Sequence, residues 1–202
     1  MKKSHWYEYL WIWSVLYFAL GFVNILFAWL GLVSFCLPLF FAFGRGSKGF
    51  CNRYCDRGQL LRFLGTQRGL SRRADMPGWM KSRAFRYGFL AFFMTMFCLM
   101  LRTTYLVYTG AAELRESVRL FWCFDVPWSF AYAGGAEPWA AQFAFGLYGL
   151  MLTSAIIGIV TLLLFKPRSW CVYCPMGTMT QAICRAKAPK EEREEPGTGC
   201  RT

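Results

Sequence analysis

Residues 9–43 read YLWIWSVLYFALGFVNILFAWLGLVSFCLPLFFAF, thirty-five residues with no Asp, Glu, Lys, Arg or His among them. Two more uncharged runs follow, 87–101 and 138–165. A helix needs about 20 apolar residues to cross the hydrocarbon of a bilayer, so such runs are read as membrane spans. Composition agrees: of 202 residues 56% are hydrophobic and only 17% charged, against roughly a quarter charged in a soluble domain. The fold class that follows is an all-α integral membrane protein.

As a single helix, 9–43 would reach about 50 Å, well beyond the roughly 30 Å hydrocarbon. It must therefore break, and Gly21, Asn24, Gly31 and Pro38 are the available points. A tight hairpin of two short spans fits, and so does one tilted span followed by an interfacial or re-entrant helix. The section 44–86 then carries eleven basic residues against Asp56 and Asp75, a balance of +9. Residues 109–140 carry a balance of −2, and 166–202 carry seven basic and four acidic residues. Positive loops stay in the cytoplasm, so 44–86 and the C-terminal segment belong inside and 109–140 outside. Lys2 and Lys3 favour an inside N-terminus, which selects the hairpin. The expected layout is a single membrane domain, 1–185, with spans near 9–25, 28–43, 87–108 and 141–165. Its loops are 44–86 and 166–185, and a disordered tail occupies 186–202. Location also explains the net charge of +12, so no nucleic-acid partner is implied and the lipid bilayer is the first partner.

An internal repeat organises the chain. Residues 39–60, LFFAFGRGSKGFCNRYCDRGQL, and 162–180, LLLFKPRSWCVYCPMGTMT, share an apolar helix end, a Phe, a basic segment, an aromatic, a close cysteine pair and a following Gly. The simplest architecture is two helix-pair repeats, each ending in a cytoplasmic cysteine-pair loop, with both pairs at one membrane face.

Cys51 and Cys55 form a C-x3-C pair, and Cys171 and Cys174 a C-x2-C pair followed by Pro175. At these spacings both thiols of a pair lie on one side of a turn and can chelate one metal centre. Four thiolates match a [4Fe–4S] or [2Fe–2S] cluster and equally an all-cysteine zinc site. Gly58 and Gly177 let the backbone pass close to an inorganic core, and Arg53, Arg57, Lys166 and Arg168 offset its negative charge. A single histidine, His5, excludes bis-histidine haem and any zinc site needing two imidazoles. Cys36 and Cys98 read as packing residues, Cys123 and Cys200 as unliganded, and Cys184 as a residue able to approach the same face. Arg102 is the one charge within an expected span, placed either to polarise a quinone carbonyl or to snorkel to the headgroups. Trp6, Trp11, Trp13, Trp128 and Trp139 read as interface anchors. The stretch Leu114–Trp122 reads as an amphipathic helix on the outer surface or a plain loop.

CNRYCDRGQL followed by KPRSWCVYCPMGTMTQ resembles the membrane-bound 4Fe-4S-binding proteins related to the quinol-dehydrogenase subunit of periplasmic nitrate reductase. The membrane domain of the nitrous-oxide-reductase regulatory flavoprotein belongs to the same group. The resemblance covers residues 35–184 and implies a [4Fe–4S] electron carrier in the cytoplasmic membrane. It implies Cys51, Cys55, Cys171 and Cys174 as ligands, with Pro175 and Gly177 as scaffold, quinol as an electron source, and flavin- or ferredoxin-containing partners in a membrane complex. Asp56 stands where the family has a proline, the second pair is one residue shorter, and the ferredoxin-like cysteine quartets of longer relatives are absent. The expected function is thus a one-electron relay, an electron-transfer subunit rather than a self-contained enzyme. Its rivals are a membrane dithiol/disulfide oxidoreductase resembling vitamin K epoxide reductases and a zinc-stabilised assembly protein.

Overall fold

The long uncharged run breaks at Asn24. In the computed structural model, which describes residues 9–45, 54–72, 74–121, 123–132 and 134–187, helix α1 (Leu10–Val23) ends there. Asn24 is extended, and its side-chain oxygen accepts the amide of Leu26 at 3.0 Å, opening a 3-10 turn, Ile25–Trp29. Helix α2 (Leu30–Arg45) continues from that turn through Pro38. Asparagine competes for backbone hydrogen bonds and caps well, which explains why the chain breaks here rather than at Gly21 or Gly31. The Tyr17 hydroxyl donates to the carbonyl of Ala28 at 3.4 Å, so the chain folds back on itself across the turn.

The remaining elements are α3 (Asp56–Arg62), extended by a π turn Phe63–Gln67, then α4 (Gly78–Lys81) and α5 (Arg83–Tyr108). Strands β1 (Ser117–Leu120) and β2 (Phe124–Pro127) follow, then a 3-10 turn Ser129–Ala131. Helices α6 (Pro138–Leu164), α7 (Ser169–Tyr173) and α8 (Pro175–Lys187) complete the described chain.

Among the described residues, three segments are long and apolar enough to cross a membrane: Ile25–Gly44, Arg83–Tyr108 and Pro138–Leu164. Helix α1 is apolar too, but its 14 residues reach only about 21 Å, short of the hydrocarbon thickness. Phe40 is 77% exposed and Val160, Leu163 and Leu164 are also exposed, as suits helices whose outer faces meet lipid. The disordered tail expected at 186–202 falls, from residue 188 on, outside the described residues.

The chain divides into two compact units. One comprises Met1–Ser14, Ser34–Leu90 and Gly158–Thr202. Its core is aromatic: Phe89 meets Trp170 and Tyr173 edge-on at 5.7 and 5.1 Å between ring centroids, and Trp170 meets Tyr173 at 5.1 Å. The Thr161 and Tyr173 hydroxyls share a buried hydrogen bond. Trp11 stacks on Phe63 at 4.1 Å.

The other unit comprises Val15–Val33 and Ala91–Ile157. Ala141, Ala144, Phe145, Leu147 and Tyr148 of α6 are fully or almost fully buried in it. Both readings of Leu114–Trp122, amphipathic helix and plain loop, are corrected here: residues 117–120 are β1, paired antiparallel with β2 so that Val118 faces Val126 and Arg119 faces Asp125. Val118 points in, wholly buried, while Arg119 turns out and binds Asp125 at 2.9 Å. A two-residue period and an opposite-charge pair across the strands win over the helical reading. Gly149 lets the hairpin approach α6, since a β-carbon there would stand 2.6 Å from the Arg119 carbonyl oxygen.

Candidate metal centre

The second cysteine of each motif is held in the same local way. Cys55 is extended and immediately precedes α3, and its carbonyl takes the Gln59 amide at 3.0 Å. Cys174, at φ −50° and ψ 130°, likewise immediately precedes α8, and its carbonyl takes the Thr178 amide at 2.9 Å. Pro175 opens α8, where a missing N–H costs nothing. Cys171 lies within α7, one turn before Cys174. Arg168, the residue before α7, adopts a left-handed backbone at φ 71°, a conformation costly for a side-chain-bearing residue.

These two motifs, far apart in sequence, come together. A β-carbon on Gly58 would lie 3.7 Å from the Cys55 sulfur and 3.9 Å from the Cys171 sulfur. Cys55 also has Cys174 and Cys171 as electrostatic neighbours. Three of the four expected ligands therefore share one neighbourhood, with the bare backbone of Gly58 leaving space beside two of the sulfurs. Cys51, the fourth, lies outside the described residues. Among the described residues no three His, Cys, Asp or Glu side chains stand close enough together to hold a metal ion as they are placed. The donor chemistry and the space at Gly58 are compatible with a thiolate-bound metal group.

Electrostatics describe the site without metal. Burial pushes the Cys55 thiol well above the usual cysteine range, and Asp56 and Cys174 push it further. The Gly58 amide opposes this without closing a regular capping hydrogen bond. Burial also raises Cys174, opposed by the amides of Gly177 and Met176, the charge of Arg57 and a hydrogen bond from the Trp170 side chain. Both residues keep part of their surface open, and Cys171 is exposed. The dehydrated sulfurs still decide the balance: these thiols are neutral until a cation compensates them.

Other residues hold the loops in place. The Ser34 hydroxyl donates to both Asp56 carboxylate oxygens at 3.4 and 3.5 Å, tying α2 to the start of α3. This gives the aspartate a structural job. Arg86 donates to the Gln181 side chain, joining α5 to α8. Lys166 pairs with Asp75, Arg57 acts on Cys174, and Arg53 lies outside the described residues. Trp170 was the residue that motif reading passed over, although its i,i+4 spacing to Cys174 was there to be seen.

Cys184, on α8, is buried and disulfide-bonded. Cys36, Cys55, Cys98, Cys123, Cys171 and Cys174 are not, and the remaining cysteines, Cys51 and Cys200, lie outside the described residues. Cys184 is therefore not a thiolate donor in this structure. Cys36 and Cys98 sit exposed on α2 and α5, not packed inside as their sequence setting suggested. Arg102 is exposed on α5. No protein-family model matches this chain, and no curated protein or solved structure matches it either.

Proposed function

We propose that this chain is an electron-transfer subunit of a membrane oxidoreductase system, carrying an iron–sulfur cluster on Cys51, Cys55, Cys171 and Cys174. The observation that supports this is the meeting of Cys55 with Cys171 and Cys174 beside Gly58. When bound, such a group supplies one-electron transfer. The chain's own residues do the rest. Cys55 and Cys174 give up their protons to become ligands, and Gly58 leaves the space. Arg57 offsets negative charge, and the Trp170 side chain hydrogen-bonds Cys174.

The reading extends to the membrane. With α1 counted as a short fourth span, both termini and the two cysteine loops lie in the cytoplasm, as the loop charges require. A quinol or a cytoplasmic donor then supplies electrons to a membrane or extracytoplasmic acceptor, the arrangement of the quinol-dehydrogenase proteins that the cysteine motifs resemble. Anaerobic purification in detergent tests it. The protein should be brown, with iron and acid-labile sulfide in near-equal amounts and an EPR signal on reduction. A colourless protein holding zinc, or no metal, overturns it.

A second reading has its own support. The disulfide at Cys184 suits a membrane dithiol/disulfide oxidoreductase, in which a nearby thiolate attacks a disulfide sulfur. A metal-free preparation whose Cys184 disulfide is reduced by a small dithiol and reformed by a disulfide oxidant would favour it.

A further inference from the structure

A cavity of about 650 Å³ lies in the unit that contains the β-hairpin, between the later turns of α5 and the first half of α6. That is within the range of about 300–1,000 Å³ usual for small-molecule sites. Its depth is apolar, walled by Met96, Met100 and Leu150. Its rim is polar and is formed by Glu113 and Arg115, in the segment that leaves α5. Tyr108 and Trp139 pack edge-on at 6.2 Å where α5 ends and α6 begins, an aromatic pair of the kind that marks the edge of the hydrocarbon. An apolar slot inside the hydrocarbon with charges at its edge is the shape of a site for an amphiphile.

The charges say which amphiphile. Arg119 also lines the cavity, but its side chain is bound to Asp125. Arg115 is fixed only through its backbone, whose amide donates to the Gln142 side chain at 3.0 Å. Among the described residues neither the Arg115 guanidinium nor the Glu113 carboxylate has a hydrogen-bond or ion-pair partner, and both residues are exposed. The rim thus offers one cation and one anion, two residues apart in the chain and not paired with each other. A purely anionic headgroup would meet repulsion from Glu113. A trimethylammonium headgroup has no N–H to give the carboxylate.

We propose that the cavity binds a zwitterionic phospholipid with a primary ammonium headgroup. One acyl chain fills the slot between α5 and α6, the phosphate sits on Arg115, and the ammonium donates to Glu113. The proposal is independent of what the cysteines bind.

Native mass spectrometry of the full chain from nanodiscs of equimolar phosphatidylethanolamine, phosphatidylglycerol and phosphatidylcholine tests it. One phosphatidylethanolamine should stay bound. Arg115→Gln should weaken retention of every phospholipid about tenfold, as loss of a charge-assisted contact does. Glu113→Gln should shift preference to phosphatidylglycerol, and Val107→Trp, which fills the slot, should abolish retention. Both rim residues are exposed, so their substitution leaves folding intact. Retention without headgroup preference, an unchanged preference in Glu113→Gln, retention surviving Val107→Trp, or recovery of an isoprenoid quinone in place of phospholipid would each overturn the assignment.

Discussion

Gly58 and Cys171 face one another across the two cysteine motifs: a β-carbon on Gly58 would stand 3.9 Å from the Cys171 sulfur and 3.7 Å from that of Cys55. In the metal-free protein this is ordinary van der Waals space. Gly58→Ala in α3 should therefore raise the stability of the apoprotein by about 0.5–1 kcal/mol, the usual gain of alanine over glycine in a helix. It should at the same time lower iron content, because the methyl occupies room beside two ligand sulfurs. Thermal unfolding and iron analysis on the same preparation check the opposite signs. A parallel rise or fall in both would remove the metal reading of this contact.

The ligand set can be read by substitution. Serine at Cys51, Cys55, Cys171 or Cys174 should each strip most of the iron and the reduced-state EPR signal. The four losses should look alike, since a cluster short of one thiolate disassembles. Serine at Cys36 or Cys98, exposed on α2 and α5, should leave iron in place. With Cys200 as the released disulfide partner, Cys184→Ser should retain iron and raise the count of alkylatable thiols by one; release of Cys51 instead would take Cys51 out of the ligand set. Loss of iron in Cys184→Ser with retention in Cys51→Ser would put the centre within the C-terminal segment.

The raised thiols at Cys55 and Cys174 fix a pH dependence. Each folded-state pKa lies above its unfolded value, so the native state holds protons that the unfolded chain releases first. Their contribution to stability is complete below the ordinary cysteine pKa of about 8.5 and is lost as pH rises through the folded values. The metal-free protein should thus lose stability above about pH 8.5, and Cys55→Ser should flatten that slope. Metal uptake should run the other way: loading releases protons, so cadmium affinity, followed by thiolate absorption, should rise with pH. Cadmium binding that does not change between pH 6 and 8 would sink this account.

Much of this was legible in residues 9–43, because a segment without charge has few places to break and Asn24 was among those recognised. The approach of Cys55 to Cys171 and Cys174 agrees with an expectation drawn from the likeness of residues 39–60 and 162–180, while Cys51 lies outside the described residues. The hairpin was not legible. Leu114–Trp122 is too short for its period to decide between strand and helix, and only the register Arg119 opposite Asp125 settles it. The disulfide at Cys184 was beyond reach, because cysteine connectivity does not follow from spacing. Neither was the phospholipid slot readable, for α5, the rim segment and α6 each supply a wall that means nothing alone.

The hairpin's seat on α6 makes a second glycine test. At Gly149 an added β-carbon would meet the Arg119 carbonyl oxygen at 2.6 Å, and backbone cannot move aside as a side chain can. Gly149→Ala should cost about 1–3 kcal/mol through overpacking. Gly88→Ala on α5, with nothing within 4 Å of the new methyl, should be neutral or stabilising. Chemical unfolding in detergent measures both, and equal effects would argue against tight seating of β1 on α6.

Orientation in the membrane is decided by two exposed thiols. Cys123, in the acidic section between β1 and β2, and Cys171, beside α8, are both exposed. If the section balanced at +9 lies in the cytoplasm and that balanced at −2 lies outside, an impermeant maleimide added to intact cells should label Cys123. Cys171 should react only after permeabilisation and removal of metal. Single-cysteine variants read by mass shift keep the two signals apart, and labelling of Cys171 in intact cells would invert the topology. That inversion would also put the cysteine loops on the oxidising side, where disulfides persist, and would move the balance from the iron–sulfur reading to the dithiol one.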